Sequence, residues 1–122
     1  DNFSAMLNFC AKNKYDKAIL TDYKKNKLYI HWPDLVVDEA KCKNDQEFWF
    51  KEYGKHGTCC EKSYSQEQYF DLAMVLKDKF DLLESFKRYG IIPGTSHTVQ
   101  TINNTVKAIT HGFPNLLCTE RM

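Results

Sequence analysis

The chain has 122 residues, 43% of them hydrophobic and 27% charged, a composition typical of one folded domain and not of a disordered or low-complexity protein. Seventeen Lys and Arg residues face sixteen Asp and Glu residues, and the net charge of +1 excludes binding of nucleic acid or membranes through bulk positive charge. No apolar run approaches the roughly 20 residues that a transmembrane helix needs. We therefore predict a single domain over residues 1–122 without membrane association.

The cysteines are the first specific feature, and there are five of them: Cys10, Cys42, Cys59, Cys60 and Cys118. No pair has the C-x-x-C spacing, and two adjacent cysteines are a poor start for a zinc site. At this density a small domain is expected to hold disulfides and to belong to an oxidising compartment. Because five is odd, at least one thiol is free or pairs elsewhere, and the residues alone choose no arrangement. Glycosylation sequons at Asn2 and Asn103 also favour a secreted glycoprotein.

The first third of the chain has weak periodicity. Residues 1–14 are predicted to be a loop, and residues 15–30 fit a helix loosely. Residues 28–32 fit a strand equally well, and Pro33 ends whichever element forms. We interpret the many lysines of this region as a solvated face, with a flank that attracts phosphate as the alternative.

Three helices are predicted after residue 44. The first spans about residues 45–55 and is opened by a capping box of Asn44 and Glu47. The second is opened by Ser65 and ends at Gly90. The third ends at 112–114. Apolar residues at helical spacing line the last two helices and are interpreted as core: Tyr69, Leu72, Ala73, Leu76, Phe80, Leu83, Phe86, Val99, Ile102, Val106 and Ile109.

The helix over residues 45–55 carries groups suited to catalysis. Helical geometry aligns Phe48, Glu52 and His56 on one face, with Lys55 one turn from Glu52, and Gly57 places His56 at the helix end beside a loop. An imidazole transfers protons near neutral pH, an ammonium stabilises charge on phosphorane oxygens, and an aromatic ring stacks a base. The set suits phosphoryl transfer from RNA. The alternative is an ordinary surface helix with a Glu–Lys pair, whereas a zinc-protease helix is excluded because Glu52 occupies the required His position.

One long motif brings a family resemblance. It reads Phe48-Trp49-x-x-Glu52-Tyr53-x-Lys55-His56-Gly57-Thr58-Cys59 and closely resembles the second active-site motif of the ribonuclease T2 family. Further segments are similar to the self-incompatibility ribonucleases of flowering-plant styles, in particular those of the nightshade family. They are the doubled cysteine and residues 32–35, 64–73, 92–94 and 115–119. The resemblance covers essentially the whole chain.

The resemblance implies a mechanism that uses no metal and no cofactor. In the family, the ribose 2′-hydroxyl attacks the adjacent phosphorus and RNA is cleaved to a 2′,3′-cyclic phosphate. By similarity, His56 transfers protons, while Glu52 and Lys55 position groups and stabilise the transition state. Phe48 would stack a base beside the cleaved bond. Lys51 stands where some members have a histidine and would bind phosphate.

The other catalytic histidine of the family belongs to a first motif, Ile-His-Gly-Leu-Trp-Pro. The segment around His31 lacks the Gly-Leu and matches the separate Trp-Pro-x-Leu segment, so His31 is expected to be a bystander. Residues 1–4 and 7–10 match the family's sequence after the first motif, which predicts the partner histidine just before Asp1. On this expectation the chain is an internal fragment with little activity of its own. His97 and His111 match no family motif and are expected at solvent-facing helix ends.

The resemblance also implies a disulfide pattern and a fold. Cys10 would pair with Cys59 and Cys42 with Cys60, leaving Cys118 to a partner after Met122. The implied fold is α+β, an antiparallel sheet flanked by helices, with the first strand and the last strands outside this chain.

The expected function is that of a secreted, monomeric endoribonuclease for single-stranded RNA. It would act as the stylar self-incompatibility factor, with a pollen-side recognition protein as a further partner. The alternative is a non-catalytic family member that serves in recognition or storage.

Overall fold

The computed structural model describes residues 7–12, 14–44 and 46–117, and they form six α-helices and two 3₁₀ turns. The helices are α1 Asp22–His31, α2 Glu39–Asn44, α3 Gln46–Lys55, α4 Gln66–Phe80, α5 Leu82–Arg88 and α6 Val99–Thr110. The 3₁₀ turns span Lys17–Ile19 and Gly57–Cys60. The chain divides into two compact units, Asp1–Val75 and Leu76–Met122, and the single domain stays a prediction.

The described residues contain no strand. The expected α+β fold with its antiparallel sheet is therefore wrong for this part of the chain, which is helical. Residues 28–31, which fit a strand or a helix, are the last turn of α1. The helix wins because Thr21 caps its start and the Trp32 N–H donates to the Leu28 carbonyl at its end (2.7 Å). Pro33 follows that end, as predicted.

Helix α2 was not predicted, and its presence overturns the expected capping box at Asn44. Asp38 starts α2, because its carboxylate accepts the Lys41 N–H (2.9 Å) and its carbonyl accepts the Cys42 N–H (2.9 Å). Asn44 is therefore the last residue of α2 and not the cap of α3. A helix of six residues with one buried side chain leaves too short a pattern to detect.

Helix α4 begins at the predicted capping box. The Ser65 N–H donates to the Gln68 side-chain oxygen (2.9 Å), and the Gln68 N–H donates back to the Ser65 hydroxyl (3.3 Å). The helix that was expected to continue to Gly90 breaks at Asp81, whose carboxylate accepts the Glu84 N–H (3.1 Å) and starts α5. Gly90 ends α5 with a φ of 75°, as the sequence predicted.

The core of the first unit is aromatic. Six buried residues form it: Leu20, Leu28, Trp49, Tyr53, Phe70 and Met74. Four half-buried rings pack against them, namely Tyr15, Trp32, Phe48 and Tyr69. The rings meet in edge-to-face and tilted contacts; Tyr53 and Tyr69, for example, meet edge to face with their centroids 5.6 Å apart at 73°. This core carries the buried side of α3.

The two apolar stripes that were predicted to be core are buried only in part. Leu72 is 36% exposed, and Leu83 and Val99 are each 55% exposed. The buried apolar positions of α4 are instead Phe70 and Met74, which lie in the aromatic core. The stripes lie on helices as predicted, but many of their side chains are partly exposed to solvent.

Gln66 ties the segment before the first 3₁₀ turn to α4. Its side-chain oxygen accepts the Asp16 N–H (2.7 Å), and its amide donates to the Asp16 carbonyl (2.9 Å). Gln66 is only 6% exposed, so both backbone groups of Asp16 depend on this one amide.

We expect Gln66→Ala to lower the free energy of unfolding by about 1–3 kcal/mol, because two partly buried backbone groups lose their partner. Urea denaturation measures the change. Gln100→Ala is the control, since Gln100 is exposed and its amide donates to Asn104 one turn further along the same helix; we expect a change within about 0.5 kcal/mol. Equal losses for the two variants would contradict this role of Gln66.

Candidate active site

Helix α3 presents two stripes with different surroundings. Trp49 and Tyr53 are 1% and 6% exposed and lie in the aromatic core. The adjacent outer stripe consists of Phe48, Glu52 and His56, and each of these side chains is half-buried. Because the first stripe is held in the core, the second lies at the edge between protein and solvent, where a substrate can reach it.

The end of α3 positions the histidine. The His56 N–H donates to the Glu52 carbonyl (2.9 Å), so His56 continues the helical pattern for one residue beyond Lys55. The 3₁₀ turn Gly57–Cys60 begins directly after it, and the Thr58 hydroxyl donates back to the Gly54 carbonyl (3.0 Å). His56 thus sits where two elements meet, as predicted, and Lys55 beside it is exposed.

The Glu52 carboxylate lies near the phenol of Tyr69 on α4. Burial raises the pKa of Tyr69 to about 12, and the negative charge of Glu52 adds to the rise. The phenol is therefore protonated at physiological pH and keeps an O–H group that can donate a hydrogen bond. No feature of the sequence had marked Tyr69 as part of this site.

Lys51 extends the charged side of α3. Its ammonium lies 3.5 Å from the Glu47 carboxylate, and both side chains are mostly exposed. An exposed ion pair of this kind contributes at most about 1 kcal/mol, so the lysine can exchange its partner for an anionic ligand at little cost.

A disulfide and one backbone hydrogen bond attach residues 9 and 10 to the end of α3. Cys10 is bonded to Cys59, with the two Cα atoms 4.8 Å apart, and this pair confirms the one that the family resemblance implied. The Phe9 N–H donates to the Lys55 carbonyl (2.7 Å), and Phe9 itself has a φ of 52°. A left-handed backbone is unusual for a bulky residue, and the adjacent disulfide and hydrogen bond hold it in place.

The expected second disulfide is wrong for this structure, because Cys42 and Cys60 are both free thiols. They lie in different surroundings: Cys42 is buried on α2 near Tyr29, whereas Cys60 is half-buried near Tyr53. Cys118 lies outside the described residues.

The other described histidines make contacts within their own segments of the chain. The His31 ring nitrogen Nδ1 is 2.8 Å from the Lys27 carbonyl of its own helix. His97 lies before α6 with its Nε2 2.6 Å from the Thr95 hydroxyl, and His111 is the exposed cap at the end of α6.

The remaining site predictions concern sequons, metals and membranes. Asn2 lies outside the described residues, and Asn103 is half-buried within α6. Within ranges 7–12, 14–44 and 46–117, no three His, Cys, Asp or Glu side chains gather as a metal site. None of the helices described there is long and apolar enough to cross a membrane.

Comparison with known proteins identifies the family. The profile of the Ribonuclease T2 family matches residues 1–122. The chain belongs to this family. Ribonuclease S-7 of Nicotiana alata is 57% identical in an alignment 122 residues long, which covers 98% of this chain and 56% of that protein. Ribonuclease S-6 of the same plant is 56% identical, again over 56% of its length. This ribonuclease T2 chain thus spans a little over half the length of these relatives.

A solved structure of the family has the same fold. The self-incompatibility-associated SF11-RNase of Nicotiana alata is 35% identical to this chain, with a TM-score of 0.79. The superposition includes all of this chain and 62% of the SF11-RNase chain. The ribonuclease T2 type of fold is therefore confirmed for this chain.

Tryptophan contacts are the main feature of the site that the sequence did not predict. The Trp49 indole N–H donates to the Trp32 carbonyl (3.0 Å), and the Trp32 ring meets Phe48 edge to face, with the centroids 6.2 Å apart. The motif contains Trp49 and the Trp-Pro segment contains Trp32. Their separation of seventeen residues matches no helical or strand period, so only the folded chain pairs them.

Gly57 is required by the packing of Tyr53. A Cβ atom at position 57 would overlap the buried Tyr53 ring, so we expect Gly57→Ala to lower the free energy of unfolding by about 1–3 kcal/mol and to displace His56. Thermal unfolding measures the loss. Gly112→Ala is the matched control, because an added Cβ there meets no atom within 4 Å, and its unfolding should not change.

The Cys10–Cys59 disulfide closes a long loop. Its partners are 49 residues apart, and we expect the double variant Cys10→Ser with Cys59→Ser to lose about 4 kcal/mol of unfolding free energy. Denaturant titration under non-reducing conditions measures the difference. Cys60→Ser removes a free thiol only and should cost much less; a loss as large as that of the double variant would contradict the bonding described here.

Proposed function

We propose that the protein is an endoribonuclease that cleaves single-stranded RNA by transesterification to a 2′,3′-cyclic phosphate. The observation that carries the proposal is the single stripe of α3 on which Phe48, Glu52 and His56 follow one another, with Lys55 beside them. Membership of the ribonuclease T2 family gives this stripe its interpretation.

His56 is proposed to carry a proton. Transesterification needs a base that accepts the proton of the 2′-hydroxyl and an acid that protonates the departing 5′-oxygen. An imidazole can serve in either role at neutral pH, and we assign one of the two roles to His56. Its place at the end of a rigid helix supports this role, because the ring is accessible while its backbone is held.

Lys55 and Glu52 are proposed to act on the phosphorane. Negative charge grows on the non-bridging oxygens as the 2′-oxygen attacks, and the exposed ammonium of Lys55 stabilises it. Glu52 lies one turn from both Lys55 and His56, so its carboxylate orients these two side chains.

Phe48 and Lys51 are proposed to hold the substrate. The half-buried ring of Phe48 offers a surface on which one base adjacent to the cleaved bond stacks. Lys51 is exposed and weakly paired, so its ammonium can meet a neighbouring phosphate. A ribonuclease MC1 variant was solved in complex with 5′-GMP. It is 26% identical to this chain with a TM-score of 0.76, and the superposition includes 93% of this chain and 56% of the MC1 chain. Nucleotide binding by a relative supports the assignment.

The biological role follows from the relatives. We propose a secreted, monomeric self-incompatibility ribonuclease that meets a recognition protein on the pollen side and carries glycans at Asn2 and Asn103. The support is the identity to the Nicotiana alata S-ribonucleases and the structural likeness to the SF11-RNase, which is associated with self-incompatibility in that plant.

The catalytic test replaces the histidine. In the protein expressed from its complete coding sequence, we expect His56→Ala to lower kcat for single-stranded RNA by about 10²-fold or more, because proton transfer loses its carrier. Release of acid-soluble product measures the rate.

His31→Ala is the matched control, since His31 is a half-buried histidine bonded to its own helix and should leave kcat unchanged. Equal rates for wild type and His56→Ala would remove the catalytic proposal. An inactive wild type that still binds RNA would favour the non-catalytic recognition role.

A further inference from the structure

Trp32 lies at the centre of a group of rings. Its centroid is 6.2 Å from that of Phe48, 6.3 Å from that of Tyr69 and 6.1 Å from that of Phe70. Phe70 is 1% exposed and belongs to the core, whereas Phe48 lies at the edge of the site. Trp32 therefore connects the core of the unit to the outer stripe of α3.

The backbone of Trp32 is held by a second tryptophan. Trp32 caps the end of α1, and its carbonyl needs a donor from elsewhere because the chain turns away at Pro33. The Trp49 indole N–H supplies that donor at 3.0 Å. Since Trp49 is 1% exposed, its indole is itself fixed by the core.

The contact between Trp32 and Phe48 does not cover the whole Phe48 ring. Their ring planes meet at 87°, an edge-to-face arrangement in which the edge of one ring approaches the face of the other. Such a contact covers at most one face of Phe48. It restricts the orientation of the Phe48 ring and leaves a second face for stacking.

We propose that Trp32 and Trp49 are a positioning pair that holds the Phe48 ring in the orientation in which it stacks a base. The inference rests on the proposed function, in which Phe48 contacts the substrate. A ring that is already oriented loses less freedom when the base arrives, so the base binds more tightly. Neither tryptophan is assigned to contact the reacting atoms.

The position of Phe48 separates binding from chemistry. It lies one helical turn from Glu52 and two turns from His56. A loosened Phe48 should therefore weaken base binding and leave the chemical step nearly unchanged.

The test measures binding without cleavage. The probe is a 2′-deoxy dinucleotide, which lacks the attacking hydroxyl, and calorimetric titration gives its Kd for the protein expressed from its complete coding sequence. We expect Phe48→Ala to weaken binding about 5–160-fold, which is the range for loss of one base–aromatic stack. We expect Trp32→Leu to weaken it about 3–10-fold, because the stack persists on a less ordered ring.

The dependence of the Trp32→Leu effect on Phe48 distinguishes a positioning role from a merely structural one. In the Phe48→Ala background, Trp32→Leu should have no further effect on Kd, since no ring remains to be oriented. Trp49→Phe, which keeps an aromatic ring and deletes the donor, should weaken binding in the same direction. Met74→Ala is the control, because Met74 is buried in the same core on α4, and it should lower stability without changing Kd.

Three results would overturn the inference: an effect of Trp32→Leu that persists without Phe48, an equal effect of Met74→Ala, or a wild-type protein that does not bind the probe. Failure of the proposed catalysis has a different signature. In that case the coupling to Phe48 is intact, and RNA is either not cleaved or cleaved at a rate independent of His56.

Discussion

The burial of Trp49 and Tyr53 sets the rotation of α3 about its axis, and the candidate site depends on that rotation. Both side chains lie in an aromatic core, and the Trp49 indole is also hydrogen-bonded to the end of α1. A helix held on one side by two large rings cannot turn without breaking these contacts. The neighbouring stripe, which carries Glu52 and His56, is therefore left half-buried along its whole length. The residues of the proposed chemistry lie on the side of α3 that is not packed in the core.

The second constraint acts at the end of α3. The Cys10–Cys59 disulfide and the hydrogen bond from Phe9 to the Lys55 carbonyl attach a segment without regular structure to this end. Gly57 allows Tyr53 to pack against the turn, because a side chain at this position would overlap the ring. His56 lies between these anchors. With a net charge of only +1, any attraction for RNA must come from such a local arrangement and not from the charge of the whole chain.

The helices that the sequence predicted well are those with long periodic patterns or reciprocal caps. The capping box of Ser65 and Gln68 and the glycine end at Gly90 were confirmed because each depends on contacts within a few residues. The break at Asp81 was missed, since the apolar spacing continues through it. Helix α2 was too short for a pattern. The expected sheet came from the family resemblance, and the described residues contain only the helical part.

The sequence by itself determined the composition of the site, because the spacing of Phe48, Glu52 and His56 follows from helical geometry alone. It also marked the end of the helix and, through the family motif, the partner of Cys10. Only the tertiary structure decided which side of α3 is buried, that Trp32 lies against Phe48, and that Cys42 and Cys60 stay apart. The physical reason is sequence distance. Helical spacing and caps act over three or four residues, whereas Trp32 and Phe48, or Cys42 and Cys60, are many residues apart. Whether such residues meet is decided only when the core packs.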